Sequence, residues 1–200
     1  MKRAKTICLG LGSLVCLLLA EPALAQRVQP FAGVSGGATS SRLVGGGFSS
    51  DARWGGTAGV FVGARTSRNS VINLEGNWLQ QGGGDTRLDY IDVPLTVGAV
   101  VPSADRMWRF RGYAGIGLAF KVSCSSDTSF LNCGSAKSTV WSLPFGFMFG
   151  RVLQGGKVLA LDIRYSLGLS DAFTTSSVDN RSWQFRALFA IPLQGGRGGR

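Results

Sequence analysis

Histidine is absent from this 200-residue chain, and charged side chains are scarce. Only 16% of the residues are charged, and glutamate occurs only at Glu21 and Glu75. Without histidine, the chain cannot form the Ser-His-Asp or Cys-His arrangements that activate a nucleophile. Soluble domains are about a quarter charged and rich in lysine and glutamate. The polar positions of this chain therefore do not resemble a water-exposed exterior.

Long apolar runs are missing from the chain except near its start. Residues 7–20 are largely apolar, basic residues precede them, and Ala-Leu-Ala follows at 23–25. This order is typical of a secretory signal peptide, so we predict that residues 1–25 are removed and that the mature chain begins at Gln26. A retained membrane anchor is the alternative, but the run is shorter than the roughly 20 residues that a spanning helix needs.

The rest of the chain alternates between apolar residues and small or polar ones. In the stretch 90–122, for example, Ile91, Val93 and Leu95 alternate with polar or small residues, and the pattern resumes after a short polar break. Side chains on a strand point alternately to opposite faces, so this pattern predicts long strands. We expect eight strands, at residues 28–38, 55–65, 71–80, 88–100, 107–122, 139–151, 158–169 and 182–193.

The connections between these strands alternate in length. Loops at one end span residues 39–54, 81–87, 123–138 and 170–181, and turns at the other end span 66–70, 101–106 and 152–157. Long outer loops and short periplasmic turns are typical of outer-membrane barrels. We therefore predict an all-β fold, an eight-stranded antiparallel up-and-down transmembrane β-barrel over residues 26–193. A Gly/Arg tail follows at 194–200, and both mature termini are expected in the periplasm.

Six aromatic residues lie near the ends of the predicted strands: Trp78, Trp141 and Trp183 at the loop ends, and Phe31, Trp108 and Phe149 at the turn ends. Two belts at opposite ends fit the aromatic girdles of membrane interfaces. The alternative is a soluble periplasmic calyx with its apolar face inside. Against that alternative, the opposite face is crowded with glycine and alanine, which suits the inside of a narrow barrel.

Eight charged residues fall on the predicted interior face: Glu75, Asp92, Arg109, Arg111, Lys121, Asp162, Arg164 and Arg186. Buried charges must be paired to be tolerated, so we expect a salt-bridged plug in which arginines neutralise all three carboxylates. A polar channel is the alternative. It is less favoured because eight strands leave an interior just wide enough for side chains.

Cys124 and Cys133 are the only cysteines after the signal peptide, and both fall in the third long loop. The periplasm is oxidising, so we predict a disulfide between them. The bond either protects the loop from proteolysis or orders it for binding. Two thiols without histidine do not make a metal site, and we expect no cofactor.

Basic residues are concentrated on the turn side of the predicted barrel: Arg27, Arg65, Arg68, Arg106, Arg151, Lys157, Arg197 and Arg200, against Asp105 alone. On that side they would face anionic phospholipid, to which each basic group contributes about 1 kcal/mol. They are dispersed and form no nucleic-acid-binding motif. We therefore expect outer-membrane lipid, and not nucleic acid, as a partner.

Five stretches carry recognisable motifs: LEGNWLQQGG at 74–83, YIDVPLTV at 90–97, FRGYAGIGLAFKV at 110–122, LDIRYSLGLSDAF at 161–173 and NRSWQFRALFAIPL at 180–193. They resemble the PorT-like outer-membrane β-barrel family, which is related in shape to small OmpA/OmpX-type barrels. The resemblance implies an integral barrel in a Gram-negative outer membrane, inserted by periplasmic chaperones and the barrel-assembly machinery. One departure is that the chain continues past Leu193 instead of ending on an aromatic residue.

Three functions are compatible with these features. The first is a non-enzymatic structural or interaction barrel that meets an envelope protein partner through its loops. The second is a transport or secretion accessory whose interior opens, and the third is the soluble calyx with an apolar ligand. We favour the first, because side chains are expected to fill so narrow a barrel.

Overall fold

The computed structural model describes residues 28–45, 47–105, 107–126, 133–173 and 178–193. Within them the chain forms eight long strands: β1 (Gln29–Gly45), β2 (Arg53–Arg65), β3 (Ser70–Gly83), β4 (Thr86–Pro102), β5 (Trp108–Ser125), β6 (Thr139–Val152), β7 (Val158–Gly168) and β8 (Asp179–Pro192). A two-residue strand, Phe48–Ser49, folds back on the end of β1, and short 3₁₀ turns lie at Cys133–Ser135 and Gln154–Gly156. No helix in this part of the chain is long and apolar enough to cross a membrane.

The eight strands form one closed antiparallel sheet. Each long strand pairs with the next one in the chain, and β1 also pairs with β8. That last pairing runs from Phe31 opposite Pro192 to Val44 opposite Asp179, and it closes the sheet into a barrel. The predicted eight-stranded up-and-down barrel is therefore confirmed.

The barrel is apolar outside and polar inside. Leu161 and Phe147 point outward and are 65% and 60% exposed, whereas Asp162 and Arg164 are 2% and 1% exposed. Such a surface suits a hydrocarbon surrounding, in which the barrel satisfies its own backbone groups. The calyx alternative required the apolar face to be inside, so it is wrong.

Two predicted loop boundaries are wrong, because polar residues that face the barrel interior resemble loop residues in sequence. β1 continues past residue 38 to Gly45, and its Thr39 and Ser41 are buried inside the barrel. β3 and β4 meet in a two-residue turn at Gly84 and Asp85 instead of a loop at 81–87. Gly84 has a φ of 55°, a conformation that glycine adopts without steric strain.

The two ends of the barrel differ in their connections. The loop end carries the two long segments, 126–138 and 169–178, the β1–β2 connection at 46–52 and the short β3–β4 turn. The turn end carries three short turns, at 66–69, 103–107 and 153–157. The first residues of β1 and the last residues of β8 also lie there.

Tryptophans near the loop end lie on the outer face. Trp78, Trp141 and Trp183 are 39–47% exposed, and Trp54, which falls within the predicted 39–54 loop, is 66% exposed. Ser40 pairs with Trp54 on one side and with Trp183 on the other, so these rings lie in neighbouring rows of the outer face.

Aromatic residues near the turn end divide between the two faces. Trp108 stacks on Phe149 with a centroid distance of 4.6 Å, on the outside. Phe31 instead points into the barrel, where its ring meets Phe61 edge-on at 6.3 Å. The prediction that Phe31 belongs to the outer belt is wrong, because on β1 the odd-numbered positions face inward.

Candidate functional site: the barrel interior

Four charged residues fill the middle of the barrel: Glu75 on β3, Asp162 and Arg164 on β7, and Arg186 on β8. We call them the ion-pair cluster. Arg164 Nη2 lies 2.6 Å from Glu75 Oε1, and Arg186 Nη1 lies 2.9 Å from Glu75 Oε2. Arg186 Nη2 lies 2.6 Å from Asp162 Oδ2. The four residues are buried, so breaking any pair would leave an uncompensated charge away from water.

Tyr113 connects the ion-pair cluster to β5. Its hydroxyl donates a hydrogen bond to Asp162 Oδ1 at 2.7 Å and accepts one from Arg164 Nε at 3.0 Å. The guanidinium carbons of Arg111 and Arg164 each lie 5.2 Å from the centre of its ring, within the range of a cation–π contact. Gly146 makes room for this arrangement, since a Cβ there would fall 3.0 Å from the Tyr113 hydroxyl.

Three of the other predicted interior charges lie apart from the cluster. Arg111 is buried and donates to Thr96 Oγ1 at 3.3 Å, and Arg109 is half-buried at the turn end. Asp92 is buried but forms no ion pair within the described residues. The expectation that arginines neutralise all three carboxylates is therefore wrong for Asp92. Alternation places a residue inside the barrel, but it does not say how far along the axis the residue lies.

Segments of the two long connections close the loop end. Ala136 forms a β-bridge with Phe173, and the Lys137 N–H donates to the Ala172 carbonyl at 2.9 Å. Lys121 lies at this end as well, and its ammonium group donates to the Ala136 carbonyl at 2.5 Å instead of to a carboxylate. Together with nearby strands these segments form a buried apolar group, the loop-end cap: Leu43, Leu88, Tyr90, Ala119, Ala136, Val140, Ala172, Phe173 and Val178.

A β-bulge in β5 changes which side chains face the cap. The register between β4 and β5 shifts at Val122, which is left over between the Asp89–Ser123 and Tyr90–Lys121 pairs. A bulge of this kind reverses the alternation of side chains beyond it. Even-numbered positions of β5 face lipid before Val122 and face the interior after it.

The disulfide expected in the third loop is present. Cys124 and Cys133 are joined with a Cα–Cα distance of 5.6 Å. Because of the bulge, Cys124 packs against the loop-end cap. The bond therefore links the end of β5 to the segment that carries Ala136, and it helps to hold the cap in place.

On the turn-end side of the ion-pair cluster the barrel is hollow. A cavity of about 220 Å³ lies inside the turn end. Its walls are mostly apolar and include Phe31 and Phe61. Arg65, Arg109 and Arg111 line the same cavity. The interior therefore has three successive parts: the loop-end cap, the ion-pair cluster and this turn-end cavity.

No group of three or more His, Cys, Asp or Glu residues in the described part of the chain could hold a metal ion. The two carboxylates of the ion-pair cluster, Glu75 and Asp162, are both held by arginines. The guanidinium groups therefore compensate the charge of each carboxylate within the cluster. The chemistry of the ion-pair cluster is thus that of a structural support.

The model of the outer membrane protein beta-barrel domain matches residues 11–189. The chain belongs to this family. The match spans β1 to β7 and most of β8, so nearly the whole barrel is covered. Membership identifies the protein as an outer-membrane β-barrel, with no specific activity attached. The narrower PorT-like resemblance is not supported at this level.

Two solved structures are similar to this chain at low sequence identity. Neisserial surface protein A is 16% identical, with 80% of this chain and 96% of that chain covered and a TM-score of 0.50. Ail, the attachment invasion locus protein of Yersinia pestis, is 16% identical, with 82% and 99% covered and a TM-score of 0.42. At this identity the likeness to Neisserial surface protein A concerns the fold alone. No curated protein matches the chain significantly.

Sequence reasoning missed the turn-end cavity, although the sequence holds a signal for it. Phe31 and Phe61 stand at inward positions of β1 and β2, where most of the other inward residues are small or polar. Gly33 and Gly63 make room for them, because a Cβ at Gly33 would fall 2.3 Å from Phe61 Cζ and one at Gly63 would fall 2.5 Å from Phe31 Cζ. Large rings beside glycines on the interior face of a barrel indicate an apolar compartment.

Proposed function

We propose that the protein is a closed structural barrel of the outer membrane that contacts an envelope partner through its loop end. The observation that carries the proposal is that two obstructions follow one another along the axis. The ion-pair cluster crosses the middle of the barrel, and the loop-end cap fills the space between the cluster and the loop end. A barrel obstructed twice has no continuous aqueous path.

The conductance of planar bilayers tests this proposal. The purified barrel is expected to give no steady current. Arg186→Ala is also expected to stay silent, because the loop-end cap remains in series with the weakened cluster. A double variant, Arg186→Ala with Phe173→Ala, weakens both obstructions and is expected to give transient currents. Steady currents from the unmodified protein would support the transport or secretion accessory instead.

The interaction role is supported by the way the cap segments are held. The disulfide, the Ala136–Phe173 bridge and the Lys121 contacts tether the described cap segments, 133–138 and 169–173, to the strands and to each other. Ordered loops lose less conformational entropy when a partner binds. Reduction of Cys124–Cys133 is therefore expected to weaken partner capture on whole cells while leaving the barrel inserted.

The proposed orientation places the loop end outside the cell and both mature termini in the periplasm, after removal of residues 1–25. It is supported by the long connections at one end and by the basic residues near the other, such as Arg68 and Arg151. On intact cells, a membrane-impermeant maleimide should label Asp51→Cys in the β1–β2 connection and leave Ser67→Cys in the β2–β3 turn unlabelled. The reverse pattern would overturn the orientation.

The proposal includes partners and a family branch that rest on sequence alone. Outer-membrane lipid, periplasmic chaperones and the barrel-assembly machinery are the partners of an inserted barrel, and nucleic acid is not among them. A PorT-like relationship rests on the short motifs at 74–83 and 161–173. The protein is proposed to be non-enzymatic, in keeping with a chain without histidine and an interior in which Glu75 and Asp162 are held by arginines.

A further inference from the structure

The turn-end cavity has the shape of a binding site and not that of a packing defect. Large apolar residues line it, among them Phe31, Phe61, Val71, Val100, Val158 and Leu188. Glycines leave space for the two phenylalanine rings, so the wall is built around the empty volume. Binding sites for small molecules are concave and mostly apolar, with a few polar groups that orient the ligand.

Three arginines are the charged groups of this cavity. Arg65 and Arg109 are half-buried, and both carry a positive charge. Arg111 is only 5% exposed, and its Nε has no hydrogen-bond partner within the described residues. A buried guanidinium without an anionic partner is unfavourable.

The carboxylates of the described interior are not available to these arginines. Glu75 and Asp162 are occupied by Arg164 and Arg186. Asp92 lines a separate small pocket on the loop side, with residues such as Leu79 and Val140. Within the described part of the chain, the cavity therefore carries positive charge with no counter-charge on its wall.

We propose that the turn-end cavity binds a single-chain amphiphilic anion, such as a medium-chain fatty acid. The hydrocarbon chain packs against Phe31, Phe61 and Leu188, and the anionic head accepts hydrogen bonds from the arginines. Guanidinium groups suit carboxylate and phosphate heads because they donate in a bidentate fork. At about 220 Å³ the cavity is smaller than the roughly 300–1,000 Å³ pockets of drug-sized ligands, so it accommodates one chain and not two.

The tail of this chain is a competing occupant, since residues 194–200 follow directly on β8. The tail carries Arg197 and Arg200, which have the same sign of charge as the cavity. Like charges in a site of low dielectric repel, so the tail is a poor ligand. This inference is independent of the proposed loop-end role, because it concerns the opposite end of the barrel.

Photo-crosslinking in phosphatidylcholine nanodiscs tests the inference. The probe is decanoate bearing a diazirine, and labelled peptides are mapped by mass spectrometry. Labelling is expected at β1 and β8 near Phe31 and Leu188. Excess decanoate is expected to abolish the labelling, whereas inorganic phosphate, decanol and decyltrimethylammonium are expected to compete poorly.

Two variants and a matched control identify the site. Arg65→Gln with Arg109→Gln should weaken labelling by roughly tenfold for each guanidinium lost, since hydrogen bonds to charged groups are worth about one decade each. Ala190→Phe fills the cavity from its rim and should block labelling. Arg68→Gln with Arg151→Gln removes the same number of charges from exposed positions at the same end, and should leave labelling unchanged. A boiled-versus-unboiled gel shift verifies that each variant is folded.

Several results would overturn the inference. Labelling confined to lipid-facing residues, or equal in all variants, would mean that decanoate only partitions into the bilayer. Competition by phosphate as strong as that by decanoate would mean an anion site without a chain site. Loss of labelling in nanodiscs that contain phosphatidylglycerol would mean that a two-chain phospholipid occupies the cavity. Labelling that appears only after deletion of 194–200 would identify the tail as the occupant.

Discussion

The two ends of the barrel interior are built on opposite principles. The loop end is filled by apolar side chains, closed by two loop segments and fastened by a disulfide. The turn end is open, hollow and lined by three arginines. The ion-pair cluster lies between them and separates the filled loop end from the arginine-lined cavity at the turn end. The barrel interior thus contains a cavity at its turn end and is filled at its loop end.

The largest expected effect comes from breaking the ion-pair cluster that separates the two ends. Glu75→Gln leaves Arg164 and Arg186 with one anionic partner between them. Removing one partner of a buried pair typically costs about 3–5 kcal/mol, because the remaining charge is uncompensated. Urea unfolding in lipid vesicles measures the loss. Asp51→Asn, at an exposed carboxylate of the β1–β2 connection, is the control and should change the free energy of unfolding little. A loss at Glu75 no greater than that of the control would refute the structural role of the cluster.

Next in size is damage to the loop-end cap. Phe173→Ala removes a ring that is 1% exposed. The lost contacts and the cavity left behind should lower the free energy needed to open the cap by about 3 kcal/mol. The amide of Lys137, bonded to Ala172, should then exchange its hydrogen roughly a hundredfold faster, while strand amides near the turn end keep their protection. Leu169→Ala, at an exposed position of the same connection, should change neither. Faster exchange at both ends would mean that the cap is not a separate unit.

Reduction of the disulfide should have a smaller effect, and one confined to the loop end. The bond closes a short loop, with a sequence separation of 9, for which chain entropy predicts about 2–3 kcal/mol. Limited proteolysis of oxidised and reduced protein should show new cuts between Cys124 and Cys133 only. The Cys124→Ser with Cys133→Ser variant should reproduce the reduced pattern without reductant. Cuts in the turns at 66–69 or 153–157 would contradict the division between the two ends.

Adding one methyl group to a glycine near the turn end should lower the stability of the barrel when the glycine faces the interior, and not when it faces the exterior. A Cβ at Gly98 would fall 2.7 Å from Arg111 Nε and from the Gly112 carbonyl oxygen, so Gly98→Ala should destabilise the barrel by about 1–2 kcal/mol. Gly112→Ala, on the facing strand, meets nothing within 4 Å and should be neutral. Equal free energies of unfolding for the two variants would mean that Arg111 is not held where the structure places it.

The smallest effect is expected in the turn at 103–107. The Ser103 hydroxyl and the Met107 N–H donate to Asp105, and they hold the pKa of its carboxyl below the ordinary value. Because the folded pKa is lowered, this contribution to stability is present above the ordinary pKa and is lost as the pH falls through the folded one. An NMR titration of the carboxyl carbon should show the low midpoint, and Ser103→Ala should raise it. An unchanged midpoint in that variant would contradict the role of the hydroxyl.

Sequence alone was enough to predict the architecture of the barrel. Alternation with a period of two places Leu161 outside and Asp162 and Arg164 inside, because one face of every strand must meet lipid. The pairing of cysteines in one loop followed from their number. These predictions depend on which side of a strand a residue occupies, which local pattern determines.

Position along the barrel axis could not be predicted in the same way. Arg109, Lys121 and Asp92 are all on the inner face by alternation, yet they lie at different levels, which depend on the stagger of the strands. The bulge at Val122 also reverses the alternation of side chains in β5, and no local sequence pattern in that strand predicts it. The division of the interior into filled and hollow ends is therefore a property of the closed barrel and not of any one strand.

Thiol accessibility from within the barrel tests that division most directly. Single cysteines are introduced at Leu188, on the wall of the turn-end cavity, and at Val140, in the loop-end cap, with the native disulfide kept oxidised. In nanodiscs, a small anionic methanethiosulfonate should modify Leu188→Cys readily, and faster than a cationic reagent of the same size, while Val140→Cys stays unmodified. Modification of both cysteines at similar rates, or of Val140→Cys alone, would contradict an interior that is sealed at one end and open and basic at the other.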